Sequence, residues 1–191
     1  KGGPKDGPTG YIAPTRREIL DHNIVHEYEY VLILDTLDAI RTYVADHAPR
    51  PAPPTYRFEN DRQGWAYVHA TDAGWPIRGM LDVALEKDDP QLIGPADTWP
   101  AADAPTLVLD AAFKTSDPHA QVFWTTADER STSTDRVVTF EVTPDDAFHT
   151  VEVRLADAPK YKGLITGLRI DPEGAGKPGD RVRVRSISFK K

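Results

Sequence analysis

The first regular pattern along the chain is a stripe of apolar residues between Glu18 and His47. Apolar side chains recur there every three or four positions, the spacing of one face of a helix. Thr15 and Glu18 form the Thr-x-x-Glu pattern that caps a helix N-terminus. A break is compatible with residues 35–36, and the apolar run at 31–34 fits either a helix or a strand. The stripe predicts a helical segment that needs a partner: the following domain, a neighbouring domain or a second copy of the chain.

The pattern changes after a proline-rich stretch. Residues 48–55 contain four prolines in eight positions, which predicts an extended spacer. Residues 1–14 are rich in Gly and Pro and predict a flexible tail. The chain therefore divides into a tail at 1–14, a helical lead-in at 15–47, a linker at 48–55 and a β-rich module at 56–191.

Short β-rich runs separated by Gly, Pro and Asp clusters fill the module after residue 56. The segments MLDVALE (80–86) and HTVEVRL (149–155) alternate apolar and polar residues, which is typical of antiparallel strands with one wet face. The predicted fold class is mainly β, an antiparallel β-sandwich or jelly roll preceded by an N-terminal helical segment. The predicted strands are 56–59, 64–69, 79–87, 105–113, 120–126, 136–143, 148–155, 163–170 and 181–189.

Composition narrows the choice of partners. The net charge of −7 and the absence of a Lys/Arg stripe argue against nucleic acid and anionic lipid as partners. The chain has no cysteine, which excludes disulfides, thiolate zinc sites and a cysteine nucleophile. No apolar run approaches the roughly 18 residues of a membrane span. Because the chain begins with Lys1 rather than Met, we expect a processed product or a piece of a longer protein.

Five segments carry a resemblance to a known group of modules: RFENDRQGW, QVFWTT, AFHTVEVRL, YKGLITGLRIDP and VRVRSISF. Together they resemble the galactose-binding-like jelly rolls appended to bacterial polysaccharide-degrading enzymes, over roughly residues 56 to 189. The resemblance implies a noncatalytic accessory module that binds polysaccharide beside a parent catalytic domain. It also implies a secreted protein, extracellular or periplasmic, in a bacterium.

The same resemblance implies a structural calcium ion. Glu59 and Asp61 match the first half of the ligand pattern, near the first strand. Ser186 and Ser188 stand where the resemblance places an acidic ligand on the last strand, so backbone carbonyls would have to complete the six to eight oxygens. Ordinary turn carboxylates are the alternative interpretation of the two acidic residues.

Tryptophan side chains are the first candidates for a sugar site, because the apolar face of a sugar ring stacks on an aromatic ring. Trp75 and Trp99 each precede a proline in a loop-like stretch, which favours them as platforms, with a buried lid as the alternative. Trp124, beside Phe123, fits core packing better, as does Trp65, but Trp124 is kept among the candidate ligand-binding residues. The candidate polar partners are Asp72, Arg78, Asp82, Asp97, Gln121 and Arg154.

Two other classes of function remain open at this point. One is a structural module without a glycan site, in which the helix drives interdomain or oligomeric contacts. The other is a jelly-roll polysaccharide lyase, for which the chain has the residue types but no diagnostic spacing. Those residues are His149, Arg154, Tyr161, Lys162 and Arg169. The alternating arginines at 181, 183 and 185 share one strand face, either solvated or an anion site.

Overall fold

The helical lead-in is shorter than the sequence predicts. A computed structural model describes residues 25, 27–48 and 50–191, and its one α-helix, α1, spans Leu37–His47. Thr36 is its N-cap, and the Thr36 hydroxyl accepts a hydrogen bond of 3.3 Å from the Ala39 amide. The helix therefore begins at the predicted break, and the prediction of helix across residues 27–34 is wrong. Those residues are rich in tyrosine and β-branched side chains, which lose rotamer freedom in a helix.

The predicted capping pair and the predicted tail, with the first part of the apolar stripe, lie outside the described residues. None of the residues of α1 is buried. The apolar side chains of residues 27–37 are also largely exposed, for example Leu34 at 91%. Among the described residues, the stripe has therefore not found the partner that its pattern predicts. No helix in the described part of the chain is long and apolar enough to cross a membrane.

Twelve strands follow in the described residues, all of them after the proline-rich linker. Each of the nine predicted strands overlaps one of them, with ends that differ by a few residues, and three short strands, at 71–72, 91–93 and 99–100, were not predicted. The strands are β1 (Tyr56–Arg57), β2 (Ala66–Val68), β3 (Thr71–Asp72), β4 (Leu81–Ala84), β5 (Gln91–Ile93), β6 (Trp99–Pro100), β7 (Thr106–Lys114), β8 (His119–Thr126), β9 (Val137–Glu141), β10 (Phe148–Arg154), β11 (Leu164–Asp171) and β12 (Arg181–Lys190).

The strands form two six-stranded antiparallel sheets, and the predicted β-sandwich is confirmed. The first sheet has the order β10-β7-β12-β4-β3, with β1 also paired to β12. The second has the order β2-β5-β11-β8-β9, with β6 also paired to β11. The long strand β12 pairs with the short strands β4 and β1 on one edge and with β7 on the other. In the same way, β11 pairs with β5 and β6 on one edge and with β8 on the other. The β12–β7 and β11–β8 pairings each contain a register shift. Many of these paired strands are far apart in the chain.

The core lies between the sheets and takes up alternate side chains of each strand. Leu81 and Val83 of β4 are fully buried, as are Leu107 and Leu109 of β7. Three of the four tryptophans also belong to this core. Trp65 packs edge-on against Tyr56, with ring centroids 5.4 Å apart and planes 87° apart. This aromatic packing holds the edge of the sandwich from which the candidate site projects.

Candidate functional site

A cleft of about 300 Å³ opens beside the loop that joins β3 to β4. The loop spans residues 73–80 and supplies most of the cleft wall, and β4 supplies one further residue. Its position beyond a short edge strand leaves one side of the loop open to solvent. The lining residues are Gly74, Trp75, Pro76, Arg78, Met80 and Asp82.

The loop is held at both ends and in the middle. The Ala73 amide donates a 2.7 Å hydrogen bond to the carbonyl oxygen of Asp82, and the Gly79 amide donates one of 2.7 Å to the carbonyl of Glu59. Ile77 is 1% exposed and fixes the middle of the loop in the core. Gly74 passes so close to Asp82 that a Cβ atom would lie 2.8 Å from the Asp82 Cβ. Only glycine fits there, so the loop backbone packs directly on the cleft floor.

Trp75 presents an aromatic surface at this cleft. Its side chain is 46% exposed, whereas the other three tryptophans are fully buried. The Arg62 guanidinium lies 5.1 Å from the Trp75 ring centroid, a cation–π contact that supports one face of the indole. Arg62 also donates to the Asp72 carboxylate at 2.6 Å and lies 5.2 Å from the Tyr67 ring centroid. The indole is thus backed by an arginine that two other side chains hold in place.

Asp82 forms the polar floor of the cleft. Its side chain is 7% exposed and accepts two hydrogen bonds from the Arg181 guanidinium in a fork. Such a charge-assisted pair fixes the orientation of both groups. The hydrogen bonds and the charge of Asp82 raise the pKa of Arg181. The floor is therefore an ion pair with no net charge.

Arg78 is different from the other arginines at the cleft. Its side chain is exposed, and no acidic residue in the described part of the chain pairs with it. Arg62 and Arg181 are each neutralised by an aspartate. The lining of the cleft thus combines an aromatic platform, an aspartate that Arg181 neutralises and one guanidinium without an acidic partner among the described residues.

Four of the nine residues considered for the ligand site meet at this place. Trp75 and Arg78 line the cleft, and Asp72 lies behind it as the partner of Arg62. Asp82, also considered from the sequence, forms the floor. The assignment of these residues to a ligand stays a prediction.

The prediction that Trp99 is a ligand platform is wrong, because its side chain is fully buried. Trp124 is also fully buried, as its predicted core packing requires, so its place among the candidate ligand-binding residues is wrong. Trp99 lies in β6, pairs with Ile165, and packs against Phe189 with ring centroids 5.2 Å apart. The Trp124 indole donates to the carbonyl of Lys160 at 3.3 Å inside the sandwich. Neither ring can stack on a sugar without unfolding the core.

The remaining predicted polar partners lie away from the cleft. The Asp97 carboxylate accepts the hydroxyl hydrogen of Tyr56, and burial followed by this contact raises the Tyr56 pKa. Gln121 donates to Thr139 at 3.1 Å on the second sheet. Arg154 is on the outermost strand of the first sheet, where it donates to Thr106 at 3.4 Å. The structure does not bring these three residues to Trp75.

Sequence reasoning missed Arg62, Met80 and Arg181 as residues of this site. For Arg62 no local signal exists, because its partners Asp72 and Trp75 are ten or more residues away. The sequence places Arg181 on an alternating strand face. It does not show that β12, which carries Arg181, pairs with β4, which carries Asp82. Met80 sits at the predicted start of a strand and gave no sign of a binding role.

The fit of a calcium ion to the predicted ligands is poor. Glu59 is exposed, and one oxygen of Asp61 accepts the Gln63 amide at 2.7 Å, which is an ordinary turn contact. Among the described residues, no group of three or more acidic or histidine side chains is placed to hold a metal ion. Calcium binding stays a prediction.

The residues considered for a lyase are used in other ways. Burial raises the pKa of Tyr161 to about 12, and its hydroxyl donates to the Ala104 carbonyl at 2.9 Å. His149 contacts Asp145 at 3.0 Å on the first sheet, whereas Arg169 pairs with Asp171 at 2.6 Å on the second. A proton acceptor and a carboxylate-neutralising arginine would have to stand side by side for lyase chemistry. His149 and Arg169 lie on different sheets, and the Tyr161 hydroxyl is bound to a backbone carbonyl.

Comparison with known proteins gives a likeness in structure alone. No protein family matches the chain, and no curated protein matches it. A low-affinity xylan-binding module (CBM86) of Roseburia intestinalis is 12% identical over 73% of this chain and 95% of that one, with a TM-score of 0.44. A family 11 carbohydrate-binding module of a Clostridium thermocellum cellulase is 11% identical over 76% and 92%, with a TM-score of 0.37.

A third solved structure is the C-terminal extracellular domain of Mycobacterium tuberculosis EmbC. It is 15% identical over 59% of this chain and 43% of that one, with a TM-score of 0.38. The first two structures are carbohydrate-binding modules. With TM-scores below 0.5 and identities of 15% or less, these likenesses carry no argument about a ligand for this chain.

Proposed function

We propose that this chain is a noncatalytic carbohydrate-binding module and that the Trp75 cleft is its binding site. The observation that carries the proposal is the half-exposed indole of Trp75 at the edge of a cleft whose floor and rim are polar. Sugar rings are recognised by this combination, an aromatic surface for the apolar face and fixed polar groups for the hydroxyls. In this role the module holds a secreted parent enzyme close to its polysaccharide.

The cleft is built in advance for such a ligand. The loop backbone is fixed by hydrogen bonds at both ends, and Arg62 holds the indole from behind. Asp82 presents a fixed acceptor on the floor, because Arg181 holds its carboxylate in a fork. A site that is ordered before binding loses less conformational entropy when the ligand arrives. The small volume suits one or two sugar rings and favours weak binding that gains strength along a polymer with repeated sites.

Affinity electrophoresis and calorimetry on a panel of soluble polysaccharides test the proposal. We expect Trp75→Ala to weaken binding about tenfold or more, since a central aromatic anchor typically contributes 2 kcal/mol or more. Trp75→Phe keeps a flat ring and should retain part of the affinity.

The control for this experiment is Tyr30→Ala, which removes an aromatic ring that is 68% exposed and lies outside the sandwich. This variant should bind as the unchanged protein does. If no polysaccharide binds, or if Trp75→Ala and Tyr30→Ala reduce binding equally, the cleft is not the site and the proposal fails.

A second candidate function is favoured by the exposed apolar residues before the linker. Val25, Leu32 and Leu34 are 87%, 63% and 91% exposed. A run of exposed apolar side chains is typical of a surface that contacts another protein or domain. In this alternative the lead-in joins the module to its parent protein or to a second copy, with or without a glycan at the cleft.

A further inference from the structure

The charged groups at the cleft do not cancel. Arg62 is paired with Asp72 at 2.6 Å, and Arg181 is paired with Asp82 in a fork. Each of these pairs is at least partly buried and contributes no net charge to the cleft. Arg78 lines the same cleft without an acidic partner among the described residues. The site thus carries about one positive charge on a chain whose net charge is −7.

We infer that the Trp75 cleft selects saccharides that carry an anionic group, a carboxylate or a sulfate, and that Arg78 is the residue that recognises this group. The inference rests on the proposed function and gives it a substrate class. A guanidinium presents a planar fork of donors that matches a carboxylate or a sulfate and stays charged at every relevant pH. A neutral sugar could use Arg78 only through weaker hydrogen bonds to hydroxyls.

The rest of the molecule opposes a general attraction to acidic polymers. With a net charge of −7, the chain repels a polyanion at long range, and this repulsion is screened within about 10 Å at 0.1 M salt. A polysaccharide whose acidic groups are esterified or removed should therefore bind better than the charged polysaccharide, unless a local group on the protein recognises the charge. The direction of this difference separates local recognition by Arg78 from the field of the whole protein.

The loop geometry keeps Arg78 at the cleft. It lies between Ile77, which is anchored in the core, and Gly79, whose φ of +78° is a conformation that favours glycine. The Gly79 amide is hydrogen-bonded to the Glu59 carbonyl. The base of the Arg78 side chain is therefore fixed, while its end is exposed. A substitution of Arg78 changes charge and hydrogen bonding without removing buried structure.

The test uses matched pairs of polymers on the full chain. One pair is polygalacturonate and its methyl ester, and the other is a sulfated galactan and its desulfated form. We expect the unchanged protein to prefer the charged member of one pair by about two- to fivefold, the upper part of the range for an exposed charged contact. Arg78→Gln should lose or reverse this preference, and Arg78→Lys should retain part of it. Which pair responds distinguishes a carboxylate from a sulfate.

The control variant is Arg130→Gln, which makes the same charge change at an exposed arginine between β8 and β9, on the other sheet. It should keep the preference. Equal or better binding of the uncharged member in both pairs, or equal effects of Arg78→Gln and Arg130→Gln, would overturn the inference while leaving glycan binding intact. If Trp75→Ala loses all binding while Arg78→Gln keeps the preference for the charged polymer, the proposed function is supported and the inference about Arg78 is overturned. If no polymer binds at all, the proposed function falls, and the inference falls with it.

Discussion

Glu173 is a buried carboxyl group whose removal should stabilise the protein at neutral pH. It lies in the loop between β11 and β12 and is 2% exposed, and neither of its carboxyl oxygens has a well-formed hydrogen bond among the described residues. Burial, followed by the charge of Asp180, raises the pKa of Glu173 from 4.5 to about 7, and the Ser116 amide offsets part of this effect. The substitution to test is Glu173→Gln, which keeps the shape and removes the charge.

The sign of the effect follows from proton linkage. The folded state binds the proton of Glu173 more tightly than the unfolded state does. Protonation of Glu173 therefore stabilises the folded state, and this stabilisation is fully present below pH 4.5. It is lost as the pH rises from about 4.5 through about 7. A pKa moved from 4.5 to about 7 corresponds to about 3 kcal/mol at most, and relaxation of the loop reduces this to about 1–3 kcal/mol. Glutamine does not ionise, so the variant keeps its stability as the pH rises through this range.

Urea unfolding at pH 4.5 and pH 8 measures the effect directly. Glu173→Gln should raise the free energy of unfolding at pH 8 relative to the unchanged protein, by about 1–3 kcal/mol more than at pH 4.5. Glu86→Gln, at an exposed position, is the control and should change little at either pH. The reasoning would be refuted if Glu173→Gln changed the free energy of unfolding by the same amount at both pH values. Glu173 would then ionise as freely in the folded state as in the unfolded state.

Two other predictions concern the floor of the cleft and the exposed lead-in. Arg181→Leu leaves the Asp82 carboxylate buried without its partner. In urea titrations, this substitution should lower the free energy of unfolding by about 2–4 kcal/mol. The control Lys190→Met breaks the exposed pair with Glu152 and should lower the free energy of unfolding by less than about 1 kcal/mol. A cost for Arg181→Leu as small as that for Lys190→Met would contradict the account of the floor. If the lead-in assembles copies of the chain, sedimentation should give a mass above that of the monomer, which a variant with Leu32→Glu and Leu34→Glu reduces to the monomer. A monomer at every concentration before substitution removes self-assembly as the role of this segment.

The sandwich could be predicted because its signal is local. Strands such as β4 and β10 alternate apolar and polar residues over most of their length, and this period of two is set by the geometry of an extended chain. The short strands β3, β5 and β6 carry two or three residues each, too few for any period to appear. They exist because a longer strand elsewhere in the chain offers them hydrogen bonds.

The candidate site could be predicted only in part, and the two Trp-Pro pairs show why. Trp75 and Trp99 have the same local context, a tryptophan before a proline in a stretch without periodicity. Trp99 is buried because its backbone pairs with Ile165 in β11 and its ring lies against Phe189 near the end of the chain. Trp75 lies in the loop after β3, a two-residue strand at the edge of its sheet, and its side chain is 46% exposed. Contacts across 60 to 90 residues decided the difference, and nothing near either tryptophan in the sequence reports them.

Burial of the polar groups had the same limitation. Asp82 and Glu173 look like two of thirty acidic residues in the sequence. Their environments differ because β12 places Arg181 against Asp82, whereas Glu173 meets Asp180 of its own loop. The first contact makes a stable floor for the cleft, and the second makes a carboxyl group that holds its proton.

The central claim, that a glycan binds at Trp75, is tested most directly by the indole N–H signals in a nuclear magnetic resonance titration. The chain has four tryptophans, of which Trp65, Trp99 and Trp124 are fully buried and Trp75 is 46% exposed. Assigned by substitution and followed while polysaccharide is added, the Trp75 signal should shift with ligand concentration while the three buried indoles stay in place. A titration that leaves the Trp75 signal unmoved while binding is detected by calorimetry would contradict the account.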